Sequence, residues 1–441
     1  MSKLFNIVTL GCKVNQYESA YMEESLIRAG WRPISKNEKA DISIINTCIV
    51  TKRASYQSRQ AIRKAIRENP SGKTAAVGCY AQVFPDELSR ITGLHMIVGN
   101  TQKAQLPDIL INRIDSEGPC VIAEDFRADM PFQFLPIKGF SDRTRAFLKI
   151  QDGCQSFCSY CIVPLARGHL RSLAPSQVIS MLKTLSIEGY KEVVLTGINL
   201  GRYGVDLNHG VNLKDIIDLI EKEKFPLRIR LSSLEPNEID EELIDRMASK
   251  KWLCRHFHIP LQSGDDGILK KMNRDYTAWE FEKLVERIHE KIPLAAVGVD
   301  MMAGFPGEDT RAYNNSYSLI DDLPVSYLHV FPFSPREGTP AADFENKVNE
   351  KVIKERAKKL RDLGNKKRQA FYRSCLGENF LVLTEGWQSE QRKMIKGLSD
   401  NYLPVIFPST QLIKNRMVSV CIEDLSHHGV LGRSIGDERE K

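Results

Sequence analysis

The sequence predicts an α/β protein in three parts: an N-terminal flavodoxin-like parallel α/β domain, a central partial (βα)6 barrel of the TIM type, and a small C-terminal antiparallel β-barrel. Two stretches in which strand-like and helix-like segments alternate predict the first two parts. Short strand-like runs separated by turn residues predict the third. We place the domain boundaries at residues 1–138, 139–371 and 372–438.

The composition is that of an ordinary globular protein. Of the 441 residues, 42% are hydrophobic and 27% are charged, which excludes a largely disordered, collagen-like or membrane-embedded chain. No stretch approaches the ~20 apolar residues of a membrane span, and the first ten residues lack the apolar segment of a secretory signal. The sequence therefore predicts a cytoplasmic protein with no membrane partner.

The first domain places three cysteines at strand ends. Its predicted strands cover residues 5–10, 41–46, 74–78 and 95–98, and its helices cover 17–29, 52–68 and 85–91. Cys12, Cys48 and Cys79, here called the rim trio, each follow the carboxyl end of one strand, where open α/β sheets bind ligands. Either these thiols meet at one rim, or they are three unrelated buried thiols. Their repeated placement favours a shared site.

Six further strand and helix units follow an irregular linker over about residues 115–140, in which one or two strands are predicted. The strands cover 146–150, 192–197, 228–233, 256–261, 296–304 and 327–333, and the helices cover 175–187, 213–222, 240–249, 268–272, 278–291 and 310–323. Such units predict a barrel whose chemistry lies at the carboxyl ends of its strands. The terminal strands are predicted over 379–384, 403–406, 417–422 and 430–435.

The positive charge is concentrated in two predicted helices. The net charge is +6, but residues 351–373 alone carry +8 and residues 52–73 carry +6. Two basic helices on an otherwise acidic body favour a polyanion such as RNA. Solvated helix faces would give the same pattern, so charge alone leaves both interpretations open.

A tight group of cysteines follows the first barrel strand. Cys154, Cys158 and Cys161, here called the loop trio, have the spacing C-x-x-x-C-x-x-C. Three thiolates on one loop can bind three irons of a cubane cluster and leave the fourth iron open to a substrate. A zinc site would need a fourth ligand, and the nearby candidate is His169. The spacing favours the iron–sulfur cluster.

This loop resembles that of the radical S-adenosylmethionine enzymes, and the wider pattern resembles the methylthiotransferases among them. The motifs are Gly11-Cys-Lys-Val-Asn-Gln-Tyr-Glu-Ser19, Asn46-Thr-Cys48, Gly78-Cys79, Ala166-Arg-Gly168, Ile259-Pro-Leu-Gln-Ser-Gly264, Gly304-Phe-Pro-Gly-Glu308 and Ser334-Pro-Arg-Glu-Gly-Thr-Pro340. The terminal barrel resembles the RNA-binding TRAM module through Gly397-Leu-Ser-Asp-Asn-Tyr402. The resemblance covers nearly the whole chain.

The resemblance implies two [4Fe–4S] clusters and S-adenosylmethionine as cofactors. The loop trio would hold the cluster that cleaves S-adenosylmethionine to a 5′-deoxyadenosyl radical, and the rim trio would hold an auxiliary cluster that donates methylthio. All six cysteines would then be both metal ligands and catalytic. The resemblance further implies tRNA as the partner, a flavodoxin-like electron donor and a monomer.

The family has three branches known by substrate. The string around Cys12 is most similar to the branch that modifies threonylcarbamoyladenosine in tRNA, next to the anticodon. The alternatives are isopentenyladenosine in tRNA and an aspartate of a ribosomal protein. A non-enzymatic alternative is an RNA-binding protein stapled by zinc, in which the cysteines only hold loops together.

Further candidates lie at predicted strand ends that face the barrel mouth. Candidates for binding S-adenosylmethionine are Tyr160, Asn199, Ser233, Gln262 and Ser263, and Arg336 is a candidate for a phosphate or carboxylate of the substrate. Each could equally be a helix cap or a hydrogen-bonded core residue. His256 and His258 alternate on one strand, which is a pattern typical of metal ligands, but we favour two hydrogen-bonded core histidines.

Overall fold

The fold was analysed in a computed structural model that describes residues 3–113, 119–141, 143–207, 210–427 and 429–437. Residues 115–118 of the predicted linker and residue 438 of the third domain lie outside the described residues. Among the helices of the described ranges, none combines the length and the apolar character that a membrane crossing requires.

The N-terminal domain is a parallel sheet flanked by helices. The strands are β1 (Leu4–Thr9), β2 (Arg32–Pro33), β3 (Ile42–Thr47), β4 (Lys73–Gly78), β5 (Met96–Val98) and β6 (Cys120–Ile122). Their order is β2-β1-β3-β4-β5-β6, and all neighbours are parallel. The helices are α1 (Lys13–Arg28), α2 (Lys52–Glu68), α3 (Cys79–Val83), α4 (Pro85–Ser89) and α5 (Leu106–Arg113). The flavodoxin-like prediction is confirmed.

Local sequence explains the elements that place the rim trio. Strand β3 is buried along its whole length, as expected for an Ile-rich central strand of a parallel sheet. Helix α2 begins where the side chain of Thr51 accepts a hydrogen bond from the Ala54 amide, which satisfies one free donor of the first turn. The loop that carries Cys48 is therefore held between a buried strand and a capped helix.

The central domain is an open barrel of six parallel strands in two sheets. The strands are β7 (Arg145–Lys149), β10 (Glu192–Thr196), β11 (Arg228–Leu231), β12 (His256–Gln262), β13 (Ala296–Ala303) and β14 (Tyr327–Pro332), with a short pair β8 (Gln151–Asp152) and β9 (Arg171–Ser172). The sheets β11-β10-β7 and β12-β13-β14 meet through a bridge between Ile229 and Leu253. The partial (βα)6 prediction is confirmed.

The strands separate an apolar outer face from a polar inner face. The helices α6 (Val163–Arg167), α7 (Pro175–Ile187), α8 (Leu213–Glu223), α9 (Glu241–Ser249), α10 (Asp266–Lys271), α11 (Ala278–Lys291) and α12 (Thr310–Asp322) follow the strands. Phe257, Ile259 and Val299 pack with helix residues such as Leu284 and Ile288 in one core. Because strand side chains alternate, His258 and Asp300 face the barrel interior.

The terminal domain is a closed five-stranded barrel on a long helix. Helix α13 (Glu350–Ser374) leads into β15 (Asn379–Ser389), β16 (Met394–Ser399), β17 (Pro404–Pro408), β18 (Met417–Ser426) and β19 (Gly429–Asp437). The order is β15-β16-β17-β19-β18. The pairs are antiparallel except β17 with β19, which is parallel because these strands are joined through β18 and not by a hairpin.

The terminal barrel docks on the first strands of the central barrel through buried charges. Glu192 pairs with Arg228 and Arg230, and both guanidinium groups also donate to backbone carbonyls of the terminal barrel. Tyr402 stacks on the buried ring of His256 with centroids 4.3 Å apart. The terminal barrel therefore contributes side chains to the interior of the central one.

Candidate functional site

The rim trio gathers at the carboxyl edge of the N-terminal sheet. Cys12 precedes α1, Cys48 follows β3, and Cys79 is the first residue of α3, directly after β4. Gly11 has φ +95°, and a Cβ there would lie 2.9 Å from the Cys48 sulfur. The first loop therefore passes directly beside Cys48, and only glycine allows this approach.

Burial and the neighbouring thiols shift the pKa values of Cys12 and Cys48. Burial, together with the nearby Cys79 and Cys12, raises the pKa of Cys48 to about 11. Burial also raises the pKa of Cys12, which Arg167 partly offsets. The side-chain amide of Asn100 donates to the Cys79 sulfur at 3.5 Å. Thiols with raised pKa values, such as Cys12 and Cys48, become thiolates when they bind a metal.

The loop trio is held in a tight backbone turn. The Cys161 amide donates to the Cys158 carbonyl at 2.9 Å, and the Cys154 amide donates to the Gly168 carbonyl at 3.1 Å. Gly153 has φ +73°, and a Cβ there would lie 1.8 Å from the His169 carbonyl oxygen. The strand that begins the loop and the segment that ends it are therefore packed backbone against backbone.

Arg274 is the cation beside the loop trio. Its guanidinium donates to the Cys158 sulfur at 3.3 Å and forms an ion pair with Glu235. Burial raises the pKa of Cys158, and Arg274 acts against this shift. Burial and the charge of Cys158 raise the pKa of Cys161 to about 12. Arg274 thus favours the thiolate that a metal requires.

The spacing of the sulfurs distinguishes a cluster from a single ion. Two sulfurs bound to one zinc ion, at about 2.3 Å each, cannot lie more than about 4.6 Å apart. Within the described residues, neither trio is among the groups of ligand atoms that all lie within 4.8 Å of one another. Neither trio is therefore preformed for a single zinc ion, and three thiolates are a donor set that a cubane iron–sulfur cluster can use.

The two trios are joined by the segment that follows the loop trio. Ile162 and Ala166 pack with Cys79 in one apolar cluster. Asn100 donates to the Ala166 carbonyl at 2.6 Å with the same amide group that contacts the Cys79 sulfur. Residues 162–167 therefore lie between the loop trio and the rim trio.

A buried ionic network surrounds this junction. Glu18 of α1 pairs with Arg167 at 2.5 Å, with Lys149 of β7 at 3.1 Å and with Lys103. Asp152, two residues before Cys154, pairs with Lys149 at 3.0 Å and with Arg167 at 3.3 Å. Burial would raise the pKa of Glu18, but the three cations hold it well below its ordinary value. Three cations against two carboxylates leave one net positive charge at the junction.

A large cavity lies beside the loop trio at the carboxyl ends of the strands. Its volume is about 680 Å³, and Cys158, Asn199, Glu235 and Arg274 are among the residues that line it. Asn199 is the one predicted S-adenosylmethionine contact that lines this cavity, and its side chain donates to Ser156 at 3.3 Å. The space and the polar lining suit a small charged ligand.

The other predicted contacts lie elsewhere. Tyr160 packs edge-on against Phe305, with centroids 6.4 Å apart. The Ser233 hydroxyl lies 2.7 Å from His258 Nδ1 on the inner face of the barrel. Gln262 and Ser263 are buried, and the hydroxyl of Ser263 lies 3.2 Å from that of Ser316.

Arg336 lies on the side of the rim trio. It is buried and donates to the Ser55 hydroxyl at 2.8 Å, and Cys48 is among its titratable neighbours. Its Nε has no hydrogen-bond partner among the residues that the structure describes. The guanidinium therefore keeps one donor for a ligand near Cys48.

Several residues of the site carry no signal that would single them out. Arg274, Asn100 and Lys103 lie in ordinary sequence contexts, and only the fold brings them to the cysteines. Asp152 and Arg167 flank the loop trio within the motif strings, but their pairing with Glu18 depends on the packing of α1 against β7.

Comparison with protein-family models gives two matches. Residues 4–99 match a family described as an uncharacterized protein family, UPF0004, and residues 148–320 match the radical SAM superfamily. The first match contains the rim trio, and the second contains the loop trio.

Characterised relatives align over almost the whole chain. The threonylcarbamoyladenosine tRNA methylthiotransferase MtaB of Aquifex aeolicus is 38% identical over 90% of this chain and 95% of its own length. The MtaB protein of Bacillus subtilis is 37% identical over 94% and 92%. The tRNA-2-methylthio-N(6)-dimethylallyladenosine synthase of Dictyoglomus thermophilum is 31% identical over 95% and 96%.

Solved structures share the fold at low identity. The radical S-adenosylmethionine methyltransferase TsrM of Kitasatospora setae, with cobalamin and a [4Fe–4S] cluster bound, superposes with a TM-score of 0.55 and is 17% identical. The match covers 78% of this chain and 77% of that one. At this identity the match supports the fold alone.

Proposed function

The chain belongs to the radical S-adenosylmethionine methylthiotransferases, and we propose that it converts N6-threonylcarbamoyladenosine next to the anticodon of tRNA into its 2-methylthio derivative. A member of this family binds S-adenosylmethionine and a [4Fe–4S] cluster. The observation that carries the proposal is the meeting of two three-cysteine sites on either side of residues 162–167.

The proposal assigns one cluster to each trio. Cys154, Cys158 and Cys161 hold the cluster that supplies the electron for cleaving S-adenosylmethionine, and the rim trio holds a second cluster that supplies the methylthio group. Arg274 and Glu235 orient the loop side chains, and the cavity beside Cys158 accepts S-adenosylmethionine with Asn199 as one contact. Tyr160, Ser233, Gln262 and Ser263 do not line this cavity, and their contact with S-adenosylmethionine stays a prediction.

The chain's own residues hold the two cysteine sites in a fixed position relative to each other. Inserting sulfur into an unactivated C–H bond requires that the radical, the substrate carbon and the sulfur donor be held in a fixed order. The ionic network fixes α1, which follows Cys12, against β7, which precedes Cys154. Both sites are thereby built on one rigid unit, and neither depends on a free loop.

The choice of tRNA substrate rests on the relatives and is consistent with charge. Five MtaB relatives are 33–38% identical to the chain, whereas three dimethylallyladenosine synthases are 31–32% identical. Helix α2 starts four residues after Cys48 and exposes Lys52, Arg53, Arg63, Lys64 and Arg67. A basic helix beside the rim trio favours binding of the RNA backbone at the site of sulfur insertion.

The test is nucleoside mass spectrometry with two cysteine variants. A deletion strain should lack 2-methylthio-N6-threonylcarbamoyladenosine in its tRNA and regain it with the wild-type chain. In vitro, Cys158→Ala should make no 5′-deoxyadenosine, whereas Cys48→Ala should make it without inserting sulfur. Cys120→Ala, a half-buried thiol outside both trios, is the matched control. Methylthiolated product from Cys48→Ala would contradict the role of the rim trio.

Three further statements stay predictions. The reductant is a flavodoxin-like one-electron donor, the enzyme is a monomer, and the domains divide at residues 138 and 371.

Iron analysis of anaerobically prepared protein tests the second cluster, since two clusters require about eight irons per chain.

A further inference from the structure

The interior of the central barrel contains a second group of potential metal ligands. It consists of imidazole and carboxylate groups and contains no thiol. His258 of β12, Asp300 of β13 and His329 of β14 come from three adjacent strands. Within the described residues they are the one group of histidine, cysteine and acidic side chains whose ligand atoms all lie within 4.8 Å of one another.

The three ligand atoms form a nearly equilateral triangle. His258 Nε2 lies 3.2 Å from His329 Nδ1 and 3.2 Å from Asp300 Oδ1, and His329 Nδ1 lies 3.3 Å from Asp300 Oδ1. The centre of such a triangle is about 1.9 Å from each corner. An ion about 1 Å above its plane would lie about 2.1 Å from all three atoms, which is the Zn–N and Zn–O distance.

The hydrogen bond between the rings of His258 and His329 accounts for only part of this arrangement. Asp300 Oδ1 is buried and accepts no well-aligned hydrogen bond from any residue that the structure describes. The three atoms point at one another, and each can offer a lone pair. Lone pairs that converge in this way are stabilised by a cation placed among them.

A neighbouring side chain orients one ligand. The Ser233 hydroxyl lies 2.7 Å from His258 Nδ1, the nitrogen that does not face the triangle. Partners of this kind fix the tautomer and the ring orientation of metal-bound histidines. The charged groups around Asp300 have both signs. Lys13 and Glu235 each lie close enough to Asp300 for its charge to raise their pKa values.

We propose that His258, Asp300 and His329 form a mononuclear site for a divalent transition metal such as zinc, separate from both cysteine trios. Two imidazoles and one carboxylate suit zinc, iron or a similar ion and are a poor set for magnesium or calcium. Three protein ligands leave at least one coordination position open. That position takes an oxygen donor, either water or an anionic group that enters the barrel.

The experiment uses element-specific X-ray absorption on the intact enzyme. The protein is first reconstituted with iron and sulfide so that both trios are occupied, and is then equilibrated with zinc and desalted. We expect about one zinc per chain, with nitrogen and oxygen ligands at about 2.0–2.1 Å and no sulfur ligand at about 2.3 Å.

Two ligand variants and one control complete the test. His329→Gln and Asp300→Asn should lower the zinc affinity by more than about 100-fold, which exceeds the usual effect of losing an outer-shell partner. His289→Gln, on the exposed end of α11, should leave it unchanged. Because His329 is half exposed, its variant should fold and keep its iron. Zinc bound through sulfur, or binding unchanged in His329→Gln and Asp300→Asn, would overturn the proposal.

Discussion

Replacing Glu18 by Gln removes the centre of the ionic network without changing the size of the side chain. Glu18 is the shared partner of Arg167, Lys149 and Lys103, and all four side chains are at most 3% exposed. Lys149 and Arg167 would retain Asp152. Lys103 has no other ion-pair partner among the described residues, so its ammonium would be buried without a counter-charge.

The expected loss is large because a buried charge is left unpaired. Breaking a buried ion pair from one side destabilises a protein by about 3–5 kcal/mol. At roughly 2–4 °C per kcal/mol for a domain of this size, the melting temperature of the reconstituted enzyme should fall by on the order of 10 °C. Differential scanning calorimetry under anaerobic conditions measures this shift.

An exposed pair and a double variant serve as controls. Glu68→Gln removes a solvent-exposed partner of Lys64 at 3.8 Å and should change stability by less than about 1 kcal/mol. Glu18→Gln combined with Lys103→Met should recover much of the loss, since the unpaired ammonium is gone. If Glu18→Gln melts within 2 °C of the wild type, the network does not stabilise the junction as described.

Two further predictions concern backbone and pH. Gly153→Ala should lose the iron of the loop trio while keeping that of the rim trio, because the added Cβ would lie 1.8 Å from the His169 carbonyl oxygen. Gly189→Ala is the control, because its added Cβ would meet open space. The measurement for both variants is the amount of iron bound per chain. Burial raises the pKa of Glu192, but Arg228 and Arg230 outweigh this and bring it to about 2. The stabilisation that ionised Glu192 contributes is therefore complete above the unfolded pKa of ~4.3 and is lost as the pH falls through about 2. Hydrogen exchange in the segment 398–403, which the paired arginines contact, should stay slow from pH 7 to 5. Glu192→Gln should speed that exchange at pH 7, and an unchanged rate would refute the docking role.

The regular elements were predictable because their sequence patterns are strong. The six barrel strands and the capped helix α2 agree with the predicted bounds to within one or two residues, since the strands carry apolar residues at every second position or more and the helix is periodic with clear ends. Strand β16 is absent from the prediction because Met394–Ser399 is short, contains Gly397 and gives little alternation. Strand β6 lies in the linker for which one or two strands are predicted, but its three residues at the sheet edge are too few to fix its bounds.

The cysteines were predictable as sites, whereas their surroundings were not. Strand-end position and spacing single out all six candidate ligands, and the aligned relatives confirm the predicted enzyme family. Arg274 and Glu18 act through contacts between distant parts of the chain, which local patterns cannot specify. For the same reason the sequence does not bring His258 together with Asp300 and His329, which lie 42 and 71 residues further along the chain.

The stacking of Tyr402 on His256 makes the terminal domain part of the wall of the central barrel. The ring of Tyr402 covers the buried ring of His256, the first residue of β12, and also stacks on Tyr327, the first residue of β14. A chain truncated before the terminal domain would expose these rings to water. Loss of activity on truncation would then report an altered barrel interior as well as any lost contact between the terminal domain and a substrate.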